Sequence, residues 1–177
     1  NDKKRSKFKK NILLISENYP DPDPEMSFYL EVLADFGVDF DIRLHPSEDQ
    51  TLFARRFSKK IGKGKIQKNK SLEKALSDAD LVLGINSNIF IQALNFGVCC
   101  FSLDLSSKAR ALSMKEHGIC DWANDEKSAY ELLEFLILGD CSLSDRAQKF
   151  MKGIYAFNGI NDGKSAERIV EKIFQIG

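Results

Sequence analysis

The stretch DADLVLGINSNIFIQALNFGVCCFSLD, residues 78–104, decides the fold. It contains a short apolar run at residues 80–85, a polar turn, an apolar-rich segment that ends at Gly97, and a second apolar run at residues 98–103. Short continuous apolar runs are typical of strands buried on both faces, whereas the segment between them has helical length. A strand, a helix and a strand in this order predict parallel pairing through a right-handed crossover.

The same alternation extends along the rest of the chain. Residues 11–16 and 38–44 are predicted strands around a helix from Glu25 to Phe36 that Gly37 ends, and the proline-rich ENYPDPDP before that helix is a predicted loop. The remaining predicted elements are a helix from Ser47 or Asp49 to about Lys60, a strand at 65–67, a short helix near 72–76, and helices at 126–138, at 144–157 and from about Lys164. We therefore predict an α/β fold, a doubly wound, Rossmann-like parallel sheet of five or six strands with helices on both faces.

Composition limits the classes of partner. The 177 residues include 26 basic and 26 acidic side chains, so no global field attracts nucleic acid or an anionic membrane. No apolar run approaches the roughly 20 residues that span a bilayer, and no signal peptide is visible. We therefore expect a cytoplasmic protein.

The four cysteines do not suggest a metal or redox site. Cys99, Cys100, Cys120 and Cys141 lack the CxxC or Cys/His spacing of such sites. We predict ordinary buried thiols in a reducing compartment and no bound metal.

The N-terminal stretch differs from the rest. Residues 1–10, NDKKRSKFKK, carry six basic side chains without periodicity, which indicates a linker or tail; the alternative is peripheral contact with anionic lipid at the inner membrane face. Residues 11–177 are expected to form one domain. Because the chain begins with Asn1 rather than methionine, we expect a fragment that lacks an N-terminal partner domain.

Four polar loops are predicted at one edge of the sheet. The carboxyl ends of parallel strands share that edge, and ligands bind where the strand order reverses. In order of the strands they follow, the loops are SENYPDPDP, HPSEDQ, QKNKS and NSNIF.

Two of these loops carry candidate phosphate ligands. Asn86, Ser87 and Asn88 precede a helix whose first amides favour an anion, although Ser87 or Asn86 could simply cap it. His45 can donate hydrogen bonds to a phosphate, or it could be a structural residue at a strand end. Pro46 extends the backbone before it and suits the first turn of a helix.

Several familiar motifs are absent. No GxGxxG follows the first strand, and no GxxxxGKS, GxSxG or Ser-His-Asp order occurs. Dinucleotide, P-loop and hydrolase interpretations therefore lose their main support.

HPSED together with residues 78–104 resembles the C-terminal, nucleotide-binding half of GT-B glycosyltransferases that build bacterial surface polysaccharides. The nearest likeness is to bacterial sialyltransferases and to the related Kdo, polysialic acid and CDP-glycerol transferases. In those families a His-Pro motif and a serine-containing motif hold the phosphate of a cytidine nucleotide donor. His45 and Pro46 match the first motif and Ser87 matches one serine of the second, whereas Asn88 stands where a second hydroxyl residue is usual.

The resemblance also implies roles for the other loops. His45 would donate to the departing phosphate, Ser16 and Glu17 would face the donor sugar, and Lys68 and Asn69 would lie near the base. The acidic motif that supplies the general base in similar sialyltransferases belongs to their N-terminal domain and has no counterpart here.

The function implied is the inverting transfer of a sugar, sialic acid or similar, from a CMP-activated donor to a surface glycan such as capsule or lipooligosaccharide, with no cofactor besides the donor. Alternatives within the fold are CDP-glycerol and UDP-sugar donors. An alternative of another class is a non-catalytic, flavodoxin-like regulatory or interaction module, for which Glu17, Asp21 and Asp23 would be the acids after the first strand.

Overall fold

The computed structural model describes residues 10–18, 23–106, 115–158 and 164, with side chains in the third range described up to Ile154. The helix predicted from about Lys164 and most of the basic N-terminal stretch fall outside these ranges. Lys10 is described, and its Nζ donates to the carbonyl oxygens of Leu136 and Gly139, each at 2.8 Å. It therefore contacts the domain at the end of a helix.

Strands and helices alternate as predicted. In chain order the described elements are β1 Ile12–Ile15, α1 Pro24–Phe36, β2 Phe40–Arg43, α2 Gln50–Arg56, β3 Gly64–Ile66, α3 Leu72–Ser77, β4 Leu81–Gly84, α4 Ile89–Asn95, β5 Cys99–Leu103, β6 Asp121–Ala123, α5 Glu126–Leu138 and α6 Leu143–Asn158.

The described strands form one six-stranded parallel sheet in the order β3-β2-β1-β4-β5-β6. In its register, Leu13 of β1 lies between Asp41 of β2 and Val82 of β4. The strand order reverses between β1 and β4, which makes this pair the topological switch point. The prediction of a doubly wound, Rossmann-like sheet is confirmed.

Helices cover both faces of the sheet. Right-handed crossovers put α1 and α2 on one face and α3 and α4 on the other. Helix α5 joins α1, where the rings of Phe36 and Tyr130 meet edge-on at 5.1 Å, and α6 packs against α4 and β5. The central strands β1, β4 and β5 are therefore buried along their whole length, whereas β2 alternates buried and half-buried residues.

The start of α1 differs from the prediction. The sequence places Pro24 in the loop, but it is the first helical residue, because a proline there loses no helical hydrogen bond. The Asp23 carboxylate caps the helix by accepting from the Met26 amide at 2.9 Å.

Two further differences from the prediction are found. The sequence predicts helices but no strand after residue 103, whereas Asp121–Ala123 form β6, an edge strand too short to show a period of two. Helix α2 ends at Arg56 rather than near Lys60, since the backbone of buried Phe57 leaves the helical conformation.

The prediction of buried thiols is confirmed for three of the four cysteines. All four thiols are free, with Cys99, Cys100 and Cys120 buried and Cys141 half-buried. Within the described ranges, no helix combines the length and apolarity that crossing a bilayer requires.

Candidate functional site

Polar residues follow the strands at their carboxyl edge. Ser16 and Glu17 follow β1, His45 lies two residues beyond β2, and Asn86 and Ser87 lie just beyond β4. Since β1 lies between β2 and β4, these loops are neighbours at the switch point. The sheet therefore brings together the residues that the two motifs and the first loop predicted.

The predicted residues after β3 are placed differently. Lys68 and Asn69 are exposed in the loop that follows this edge strand, with β2 between them and β1. They share the carboxyl edge, but their contact with a base stays a prediction.

Glu17 connects the loop after β1 to the turn after β4. Its Oε1 accepts hydrogen bonds from the backbone amides of Ile85 at 3.0 Å and Asn86 at 2.8 Å. A carboxylate is the stronger kind of acceptor for such amides. Its neighbour Ser16 is only 3% exposed, so that side chain has little surface to offer a ligand.

Two buried hydroxyls also hold this turn, from the core of the protein. The Tyr29 hydroxyl donates to the Gly84 carbonyl at 2.7 Å, and the Ser102 hydroxyl donates to the Ile85 carbonyl. Burial, above all, raises the pKa of Tyr29 well above its usual range, so the phenol stays protonated and keeps donating. The carboxyl end of β4 is thus held by donors on its carbonyls and by Glu17 on its amides.

Ser87 caps the start of α4. Its Oγ accepts from the Ile89 amide at 3.2 Å, and its carbonyl accepts from the Phe90 amide at 2.9 Å. Asn88 makes no side-chain capping bond. Capping uses the oxygen lone pair of Ser87, so its hydroxyl proton can still be donated to a ligand.

The segment from His45 to Glu48 forms a tight turn. The His45 carbonyl accepts from the Glu48 amide at 2.9 Å, while the His45 amide donates to Glu48 Oε2, also at 2.9 Å. Pro46 occupies the second position of this turn, where its fixed φ is favourable. It does not lie in the first turn of α2 as predicted, because Asp49 caps that helix by accepting from the Leu52 amide at 2.8 Å.

The His45 ring is exposed but anchored on one side. Its Nδ1 lies 2.6 Å from Ser47 Oγ and 3.2 Å from the Ser47 amide nitrogen. Asn18 Nδ2 in turn donates to Ser47 Oγ at 2.8 Å. Consecutive residues Glu17 and Asn18 therefore join the turn after β4 to the turn after β2.

Sequence reasoning missed the residues that make this connection. Ser47 was considered only as a helix cap, and Asn18 lies in a loop that was interpreted through its prolines. Neither has a local signature, since their contact joins residues 29 positions apart. Tyr29 lies in the predicted helix from Glu25 to Phe36, and the sequence gives no sign of its contact with Gly84.

A second connection lies beside the site. Glu25, in the first turn of α1, is fully buried, and its Oε1 accepts from the amides of Leu105 and Ser106, each at 2.9 Å. Buried Asp104 accepts from the Ser106 hydroxyl at 3.0 Å. The loop after β5 is therefore fixed to the start of α1, next to the switch point.

A cavity of about 630 Å³ lies elsewhere, at the amino ends of the strands. Its charged groups pair with one another, since Lys70 Nζ lies 3.0 Å from Asp78 and 3.8 Å from Asp41. It contains none of the predicted ligand residues. We therefore assign the candidate site to the carboxyl edge, where ligands of such sheets bind, and not to this cavity.

The carboxyl edge is suited to an anion. It offers the His45 ring and the Ser87 hydroxyl as donors, and in the described ranges no group of three or more His, Cys, Asp or Glu side chains is arranged to hold a metal ion. Side-chain donors around a strand-end crevice can bind a phosphate ester.

No family model and no curated protein matches the sequence, but solved structures match its fold. An S. aureus TarM variant in complex with Fondaparinux, alpha-GlcNAc-glycerol and UDP has a TM-score of 0.64 and 16% identity, covering 99% of this chain and 36% of its own. CalG4, the calicheamicin glycosyltransferase, gives 0.61 and 12%, covering 95% and 43%. A putative UDP-N-acetylglucosamine 2-epimerase from Listeria monocytogenes gives 0.60 and 16%, covering 93% and 45%.

At these identities the comparison shows the fold alone. The likeness to the C-terminal half of GT-B glycosyltransferases is confirmed at that level, and the chain spans less than half the length of these neighbours. The narrower likeness to sialyltransferases and CDP-glycerol transferases depends on the two motifs.

Proposed function

We propose that this chain is the donor-binding half of a glycosyltransferase and that it holds the phosphate of a nucleotide sugar at the carboxyl edge of its sheet. The observation that carries the proposal is the connection between the turns after β4 and β2. Asn86 is hydrogen-bonded to Glu17, and the next residue, Asn18, is hydrogen-bonded to Ser47, which lies against the His45 ring. This connection arranges a histidine and a helix-capping serine around the switch point, where ligands of such sheets bind.

The chemistry follows from what leaves in the reaction. When the bond between the sugar and its phosphate oxygen breaks, negative charge grows on that oxygen. Donors already aimed at the oxygen lower the barrier because they interact more strongly with the transition state than with the bound donor. His45 and Ser87 would supply these donors, and the acceptor hydroxyl would attack from the opposite side, which inverts the anomeric centre.

Other parts of the enzyme would come from elsewhere. The chain spans 36% to 45% of the lengths of the three neighbours described above. A general base and the acceptor glycan site would belong to an N-terminal domain that closes over this edge.

The nucleotide is proposed from the motifs. His45, Pro46 and Ser87 match those that hold cytidine nucleotides, so a CMP-linked sugar such as sialic acid is the first candidate. A UDP-sugar is the second, supported by the UDP in the TarM complex. Asn88, at the position of a second hydroxyl residue, departs from the cytidine-binding motif.

The flavodoxin-like alternative has less support. Its usual strand order is 2-1-3-4-5, whereas this sheet has the order 3-2-1-4-5-6. Its acidic site would also need Asp23 and Glu17, yet both carboxylates accept backbone hydrogen bonds. A Mg²⁺ titration that perturbed this loop without any nucleotide effect would restore it.

Isothermal calorimetry with CMP, CDP and UDP at millimolar concentration tests the proposal. We expect the wild-type chain to bind at least one of them and His45→Ala to weaken that binding about tenfold, since a hydrogen bond to a charged group is worth roughly 1.5 kcal/mol or more. The matched control is His117→Ala, because the second histidine lies before β6 and away from the candidate site.

Binding of none of the three nucleotides would refute the proposal. Equal losses in His45→Ala and His117→Ala would refute the role of His45. The order of the CMP and UDP affinities then decides between the two donor classes.

A further inference from the structure

We infer that Ser47 and Asn18 are positioning residues that hold the neutral His45 ring in the tautomer with its proton on Nε2. The structural part of this inference stands alone, whereas its catalytic meaning rests on the proposed function. It concerns how the ring is presented to an anion, which the His-Pro motif by itself does not specify.

The Ser47 backbone amide gives the argument for this tautomer. This N–H can only donate, and its nitrogen lies 3.2 Å from His45 Nδ1. Nδ1 must therefore offer a lone pair. A neutral imidazole carries one N–H, so the proton is placed on Nε2.

The Ser47 side chain is consistent with this assignment. Its Oγ lies 2.6 Å from Nδ1, a distance that allows either group to be the donor. Asn18 Nδ2 donates to one of the two lone pairs of the same Oγ at 2.8 Å. Because the Ser47 amide already requires a lone pair on Nδ1, the hydroxyl proton is directed at Nδ1.

The backbone supports this arrangement on both sides. Two hydrogen bonds with Glu48 fix the main chain of His45, so the position of its Cα is set and only the side-chain torsions can move the ring. Asn18 has φ of 52°, in the left-handed region that asparagine tolerates better than most residues. That conformation accompanies a side chain already directed at Ser47.

The tautomer decides what His45 can do for a phosphate. The ring is exposed, and Nε2 has no hydrogen-bonding partner among the described residues. With its proton on Nε2, the neutral ring presents a donor to phosphate oxygens. The other tautomer would present a lone pair, which repels an anion and cannot stabilise the departing phosphate.

Nitrogen NMR of the histidine rings tests the inference directly. In a ¹⁵N-labelled chain at a pH where the ring is neutral, long-range ¹H–¹⁵N correlations report which nitrogen carries the proton, and His45→Gln identifies the signals. We expect wild-type His45 to show the Nε2–H pattern. Because a hydrogen bond is worth about 1 kcal/mol, Ser47→Ala should raise the ratio of Nδ1–H to Nε2–H about fivefold, with a smaller rise in Asn18→Ala.

Two controls make the result specific. Ser47→Thr keeps the hydroxyl and should restore the wild-type pattern, and the His117 signals should not change in any variant. An Nδ1–H pattern in the wild type would overturn the inference. An unchanged ratio in both Ser47→Ala and Asn18→Ala would overturn the positioning role.

A titration of the same samples with CMP, CDP and UDP separates this inference from the proposed function. If the tautomer is as expected but none of the three nucleotides binds, the proposed function fails and the positioning role remains. If a nucleotide binds and Ser47→Ala weakens its binding while Ser47→Thr does not, the positioning role extends to the ligand. Equal affinity of wild type and Ser47→Ala for the bound nucleotide would contradict the catalytic meaning.

Discussion

Removal of the Glu17 carboxylate should loosen the centre of the sheet edge. Oε1 of Glu17 accepts two backbone hydrogen bonds, from Ile85 and Asn86, at 3.0 and 2.8 Å. Glu17→Gln keeps an oxygen acceptor without its charge, whereas Glu17→Ala removes the acceptor entirely. The two variants therefore separate the contribution of the charge from that of the hydrogen bonds.

The expected sizes follow from this geometry. Hydrogen bonds to a charged group contribute roughly 1.5–3 kcal/mol each and neutral ones about 1 kcal/mol. Because the sheet edge is partly hydrated, we expect Glu17→Gln, which loses the charge but keeps an acceptor, to lower the free energy of unfolding by about 1 kcal/mol. In Glu17→Ala water reaches the exposed Asn86 amide but less easily the buried Ile85, and we expect a cost of about 2 kcal/mol. That is about 30-fold in the folding equilibrium.

Urea unfolding followed by the fluorescence of Trp122, the single tryptophan, measures these changes. The matched control is Glu31→Gln, because Glu31 pairs with Lys60 at 2.7 Å across an exposed surface and should change the free energy of unfolding by less than about 0.5 kcal/mol. If Glu17→Ala unfolds at the same urea concentration as Glu31→Gln, Glu17 does not hold the edge together.

Two further predictions concern the sheet. In Gly64→Ala the new Cβ would lie 2.6 Å from the Phe40 ring, and this overpacking should lower the free energy of unfolding by about 1–3 kcal/mol. Urea denaturation measures the change, and an unchanged midpoint would contradict the packing of Phe40 against Gly64. Burial is the main cause that raises the pKa of Cys99 to about 12 and the pKa values of Cys100 and Cys120 well above their usual range. A thiol reagent at pH 8 should therefore modify half-buried Cys141 first in the folded protein and the three buried cysteines only after unfolding. Rapid modification of Cys99 would show that the core is open.

The strands of the sheet could be predicted where their burial requires a recognisable local sequence pattern. β1, β4 and β5 are buried on both faces, so their sequences are continuous apolar runs of normal strand length. β6 has three residues and pairs on one side only. Its Asp121 makes a bidentate ion pair with Arg146, 25 residues away, and no local sequence pattern predicts such a contact.

The site was predictable only in part, for a related reason. His45 and Ser87 could be found because each lies in a short motif directly after a strand. The contacts that hold their turns could not. Glu17 was found as a candidate for the donor sugar, but its contact with the turn after β4 and that of Asn18 with Ser47 join segments that are far apart in the chain. Those contacts require β1 to lie between β2 and β4, and strand order is a property of the whole sheet.

That strand order also bears on where a phosphate would bind in a chain without a glycine-rich loop after β1. In dinucleotide-binding folds, glycines after β1 let the phosphates approach backbone amides closely. In this chain Glu17 follows β1, and its carboxylate occupies the amides of Ile85 and Asn86 at the same crevice. The Glu17 carboxylate would repel another anion from that position. A bound phosphate would therefore have to accept hydrogen bonds from donors in the flanking turns. His45 and Ser87 lie in those turns, and we therefore expect the ligand to bridge β2 and β4 across the end of β1.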